Sequence, residues 1–150
     1  MRRGIALALS GCVVVAVVVA VALVVSSIRR SDAAPRDGVV WTLTDLAVDG
    51  QARPLVTNAP VTLTFHSGPS TVTGSTSCNS YQATYQATGT HIAFANFAVS
   101  AVGCPSAVGA QENLYLQALT RVSTLNQTGD TLLLSSADGK HRLRFTAVHP

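Results

Sequence analysis

Two hydrophobic patterns divide the chain. Gly4 to Ile28 is a run of 25 residues without a charge. From Val39 onward the apolar residues recur at period two instead. In VTLTFH, Val61 to His66, the side chains of Val61, Leu63 and Phe65 face one way and Thr62, Thr64 and His66 the other. That alternation predicts a half-buried strand. VVWTL (Val39 to Leu43), TVTGSTSC (Thr71 to Cys78), QATYQATG (Gln82 to Gly89), HIAFANF (His91 to Phe97), TLLLSS (Thr131 to Ser136) and HRLRFTAV (His141 to Val148) read as further strands. Asp49-Gly50, SGPS (Ser67 to Ser70) and Asp138-Gly139 supply turn chemistry between them. A strand unbroken from Thr71 places Cys78 on the same face as Val72.

One segment departs from period two. Across GAQENLYLQALTRVS, Gly109 to Ser123, the residues Leu114, Tyr115, Ala118, Leu119 and Val122 form one helical stripe, with Gln111, Glu112, Gln117 and Arg121 elsewhere. Glu112 near the start and Arg121 near the end suit the helix dipole. This predicts a helix that covers one face or end of a sheet. Strands and helix together predict a mainly β (α+β) domain, a small antiparallel sheet curled into a barrel or half-barrel with one packed helix.

The N-terminal run changes this picture. As a helix it spans about 37 Å, against a hydrocarbon core of about 30 Å. Residues 1–28 are therefore read as a signal anchor or transmembrane helix, 29–38 as a short linker and 39–150 as the folded domain. Two alternatives stay open. Ala20-Val21-Ala22 has the residue types of a signal-peptide cleavage site, although apolar residues continue past it. Leu9 to Cys12 has those of a lipobox, with Cys12 as the lipidated residue, although no polar tether follows.

The formal net charge of +3 belongs to this end. Four arginines and one aspartate precede residue 33, and the six bases and six acids after it cancel. With no basic block and few aromatics, the domain is not expected to bind nucleic acid. Arg142 and Arg144 alternate along one strand face and read as solvated.

The chain carries few residues in patterns that suggest chemistry. No HExxH, GxSxG or phosphate-binding glycine loop occurs. His66, His91, His141 and His149 are scattered without metal-ligand spacing, and His66 and His141 are read as surface residues. No catalytic residue, metal ligand or cofactor is expected. Cys78 and Cys104 have no base or cationic neighbour to activate a thiolate, and two thiols fall short of a zinc site. A disulfide is the favoured reading, with two free buried thiols as the alternative. A disulfide needs an oxidising compartment. It would put the domain outside the cytoplasm, on a single-pass anchor in the cell membrane.

The order of short motifs then matters. WTL (Trp41 to Leu43), VTLTF (Val61 to Phe65), G-x-x-x-C-N-x-Y-x-x-x-Y (Gly74 to Tyr85), SAVGCP (Ser100 to Pro105), QENLYL-x-AL (Gln111 to Leu119) and GDTLLL (Gly129 to Leu134) follow one another. This succession resembles the META domain family, which includes HslJ-like proteins, from about Val39 to Val148. Ser77 stands where the family often has Gly, and Ser100 where Thr is common. The resemblance implies a compact β-barrel-like domain with a helix against it. It also implies a bacterial envelope or secreted setting, loosely tied to heat-shock or antibiotic response, and no established enzymatic activity. Gly74, Cys78, Asn79, Tyr81 and Cys104 carry over as family-pattern positions, with Asn79 expected as a turn residue whose side chain bonds its own backbone. The resulting expectation is a membrane-anchored extracytoplasmic domain that is not an enzyme. It would bind an unknown envelope protein or small ligand in envelope maintenance or stress response. The alternative is a small-ligand carrier or inhibitor that uses a pocket at the barrel mouth.

Overall fold

The structure, a computed structural model, describes residues 34–149. The expected membrane helix, and Cys12 within it, lie outside them. Among the described residues no helix is long and apolar enough to cross a membrane.

β1 (Val40–Val48) turns through Asp49 and Gly50, at φ of 54° and 78°, into the short β2 (Gln51–Arg53). β3 (Thr62–His66), β4 (Thr71–Ser75), β5 (Ser80–Thr88) and β6 (His91–Val99) then form an antiparallel meander. After the helix α1 (Ser106–Leu119) come β7 (Thr124–Thr128), β8 (Thr131–Ser135) and β9 (Arg142–Ala147). β9 pairs back onto β1, from Trp41 opposite Ala147 to Ala47 opposite Arg142. The sheet thereby closes as a barrel-like ring, and β2 stands on β1 outside it. Its thinnest seam is β6–β7, where His91 opposite Thr124 is the paired position. The chain leaves the ring there to form the helix.

Alternation explains which side chains point inward. In β9 Leu143, Phe145 and Ala147 are buried, while Arg142, Arg144 and Thr146 are exposed. Trp41, Leu63, Phe65, Val72, Leu132 and Leu134, each at 0 % exposure, join them in one continuous cluster inside the ring. Each such side chain stabilises the fold by about 1.5–3 kcal/mol. The interior is therefore filled by the protein's own side chains.

The helix differs from its sequence reading at both ends. It starts at Ser106 and stops at Leu119, so Arg121 and Val122 lie past it, and neither end carries the expected dipole partner in its terminal turn. It stops there because Ser123 is drawn into the sheet, its N–H donating to Ser135 O at 2.8 Å. Gln111, read as outside the apolar stripe, is buried with Tyr115, Ala118 and Leu119. Its Oε1 accepts from Val56 N–H at 2.7 Å and its Nε2 donates to Ala59 O at 3.0 Å, so a buried amide ties the helix to the β2–β3 connection.

Three other expectations change. Arg36 to Gly38, read as linker, are part of the fold: Arg36 N–H donates to Gln127 Oε1 at 3.0 Å, its guanidinium lies 5.0 Å from the Trp41 ring centre, and Asp37 bridges Phe65. His141, read as a surface residue, is 4 % exposed. It shares strand parity with Leu143 and Phe145, and that parity turns it inward. β2 and β7 were not legible as strands, because QAR is three residues long and TLNQT places Gln127, fully buried, where an apolar residue is expected.

Candidate functional site

The family-pattern residues meet in one place. β4 ends at Ser75 and does not reach Cys78, because Ser77 takes a left-handed φ of 78° and turns the chain. The turn is closed by Thr76 N–H donating to Asn79 O at 2.8 Å, and by Asn79 N–H donating to Thr76 Oγ1 at 3.0 Å. Cys78, at the turn's tip, is joined by a disulfide to Cys104, with a Cα–Cα distance of 5.8 Å. Cys104 lies just before the helix, so the bridge staples the β4–β5 turn to the segment that launches α1.

Beneath the bridge sits Asn79, 3 % exposed. Contrary to the turn-residue expectation, its side chain does not bond its own backbone. The amide nitrogen donates to Glu112 Oε1 and Oε2 at 3.1 and 3.0 Å, and the amide oxygen accepts from Ser100 Oγ at 3.0 Å and Val102 N–H at 2.8 Å. Thr76 Oγ1, fully buried, also bonds the Glu112 carboxylate. One side chain thus joins the β4–β5 turn, the segment after β6 and the helix. A buried amide with every polar atom matched stabilises this arrangement, whereas leaving one atom unmatched costs about 1–3 kcal/mol.

Gly74 and Tyr81 form the second half of the site. They oppose each other across β4 and β5. The Tyr81 ring crosses the bare backbone at Gly74 and its hydroxyl donates to Thr62 O at 3.0 Å. A Cβ at position 74 would stand 2.1 Å from Thr62 O and 2.6 Å from the Tyr81 hydroxyl. Only glycine fits there. The Tyr81 hydroxyl also bonds that of Tyr115 on the helix, and the two rings pack edge to face at 5.7 Å. Burial pushes both phenols well above the usual tyrosine range. They stay protonated near neutral pH and hold the helix without exchanging protons.

The arrangement is a joint. Its disulfide is half-buried, its amide is saturated by protein partners and its phenols are locked neutral. Among the described residues no group of three or more His, Cys, Asp or Glu is placed to hold a metal. Sequence reasoning reached Gly74, Cys78, Asn79, Tyr81 and Cys104 but missed Thr76, Ser100, Glu112 and Tyr115. Of these, Tyr115 was visible as a stripe residue and within the QENLYL motif, Ser100 as a family position, and nothing local to Glu112 signals a partner 33 positions away.

No curated protein matches the chain. Its fold is similar to an NMR structure of a protein from Burkholderia xenovorans, with a TM-score of 0.65 at 24% identity over 82% of this chain and 97% of that one. A DUF4847 family protein from Bacteroides vulgatus is similar at a TM-score of 0.56 and 17% identity, covering 71% of this chain and 90% of that one. These two likenesses concern the fold alone. The META domain matches residues 35–149, which takes in the whole ring, the helix and the stapled joint. The chain belongs to the META domain family.

Proposed function

We propose that this chain is a membrane-anchored, extracytoplasmic META domain that acts by binding, without catalysis, in envelope maintenance or stress response. The disulfide between Cys78 and Cys104 carries the reading. Such bridges persist in oxidising compartments, and the uncharged run from Gly4 to Ile28 supplies both a route to one and an anchor in the membrane. The saturated joint and the filled ring favour a rigid scaffold that presents its outer surface to a partner.

The test is intact mass after thiol alkylation, with and without reductant, on protein recovered from the membrane fraction. The reading expects residues 1–28 to be retained and two cysteines, Cys78 and Cys104, to resist alkylation until reduced. Protease added outside intact cells should remove the domain. A domain that alkylates freely at both cysteines once unfolded, or that is protected from external protease, overturns the placement. A mass gain at Cys12 with loss of residues 1–11 would replace the helix anchor by a lipid anchor.

A further inference from the structure

The outer face of the ring carries an arrangement that the joint does not explain. A cleft of about 410 Å³ lies between β2 with its following residues and the outward face of β1, β9 and β8. Arg53, Arg142 and Arg144 line it over an apolar floor of Ala47, Leu55 and Leu133. The pairing brings them together. Arg142 lies opposite Ala47, and Arg144 sits between Asp45 on β1 and Leu133 on β8. Arg142 and Arg144 are two residues apart on one strand face, hence about 7 Å apart.

The charges in this cleft are not balanced. The six bases and six acids of the described residues cancel overall, yet three of the six bases collect here with one acid. Asp45 Oδ2 lies 3.5 Å from Arg144 Nε. Among the described residues neither Arg53 nor Arg142 takes part in an ion pair. Arg53 Nε is moreover shielded from solvent with no hydrogen-bond partner. A buried donor without an acceptor carries a cost, and turning the guanidinium toward an anion in the cleft would relieve it.

We propose that this cleft binds a phosphomonoester whose organic part is apolar. The proposal gives the binding role above a ligand class and rests on that role, independently of the anchor. The local excess of two positive charges matches a phosphate dianion. Its three terminal oxygens can accept from more than one guanidinium fork at once, whereas a carboxylate offers one charge and two oxygens. The floor suits an apolar substituent. A free small phosphomonoester and the headgroup of phosphatidic acid share this chemistry.

The test uses the full chain, isotope-labelled, in neutral detergent micelles. Phenyl phosphate is titrated while the arginine Nε–H resonances are followed. Arg53, Arg142 and Arg144 should shift together and saturate, while Arg36 and Arg121 stay fixed. Benzoate should bind at least about tenfold more weakly, and Arg142→Gln should weaken phenyl phosphate by about tenfold or more. Arg144→Gln provides a second variant, and an unchanged backbone amide spectrum shows that each variant folds. Nanodiscs of phosphatidylcholine, with and without phosphatidic acid, separate the two sources. Shifts produced by phosphatidic acid alone assign the headgroup, and shifts that still need phenyl phosphate assign the free compound. Shifts spread evenly over all arginines, shifts that survive both substitutions, or no saturable shift with any probe overturn the proposal. In that last case a chain that still fractionates with membranes and resists alkylation keeps the proposed function intact. A chain that fails those two assays overturns the function without touching the arginine result.

Discussion

Asn79 and Glu112 face each other across the joint between sheet and helix, the amide nitrogen of one donating to both carboxylate oxygens of the other at 3.0 and 3.1 Å. A single-atom change reverses the sign of this contact. Asn79→Asp sets two carboxylates face to face in a part-buried site, and about 3 kcal/mol of stability should be lost at neutral pH. Like charges raise the proton affinity of the pair in the folded state above that of the unfolded chain. The folded variant then binds more protons than the unfolded one, so its deficit should shrink as pH falls towards the ordinary carboxylate values of about 4. Urea unfolding at neutral pH and at mildly acid pH measures both values. An equal deficit at the two would show that lost shape, and not charge, dominates.

Gly74→Ala tests the crossing of Tyr81 over β4. The added methyl meets the Thr62 carbonyl, part of the backbone, as well as the Tyr81 ring. A loss of about 3 kcal/mol is expected, at the upper end of overpacking costs. Added to a Tyr81→Ala background, Gly74→Ala should still cost stability, because the carbonyl contact remains. No further loss in that background would locate the clash in the ring alone.

The disulfide joins cysteines 26 positions apart. Replacing both by serine should cost about 3–4 kcal/mol through the freed unfolded chain. The ring and its core do not pass through the bridge, so the variant should keep a native near-ultraviolet spectrum while its thermal midpoint falls. Loss of that spectrum at low temperature would mean that the staple is needed to form the fold and not only to stabilise it.

Phenol ionisation reads the buried tyrosines. The chain has three, and burial raises all of them, most strongly Tyr81 and Tyr115. Between the usual phenol value of about 10 and these raised values, the unfolded chain releases protons that the fold retains. Stability due to these groups is complete below that range and is lost as pH rises through it. Absorbance titration should show at most one tyrosine, Tyr85, ionising reversibly before unfolding. The other two should ionise together with the loss of structure. Reversible ionisation of all three in the folded protein would contradict the closed packing around the Tyr81–Tyr115 pair.

Much of the fold follows from local rules. Alternation fixes which residues of β3 and β9 face inward, since a strand turns successive side chains to opposite sides. Asp49-Gly50 sets the tight β1–β2 hairpin because both residues adopt positive φ there. Asp138-Gly139 also marks a hairpin, β8 to β9, but through a six-residue connection from Ser136 to His141. The helix was legible in type but not in limits, because its end is decided by Ser123 pairing with Ser135, a contact outside its own sequence.

By itself, then, the sequence determined the strands with clean alternation, the one helical stripe, the uncharged N-terminal run and the two cysteines available to pair. These depend on spacing along the chain, which any reader of the residues can count. Tertiary structure alone decided the rest. Ring closure needs β1 to find β9 about 100 positions away. The role of Asn79 depends on a helix carboxylate brought in from beyond Cys104. The grouping of Arg53, Arg142 and Arg144 arises because the turn back into β2 and the β1–β9 pairing lay three distant residues on one face. Hydrogen bonds and charges act through space over a few ångströms, and only the folded chain sets which groups come that close.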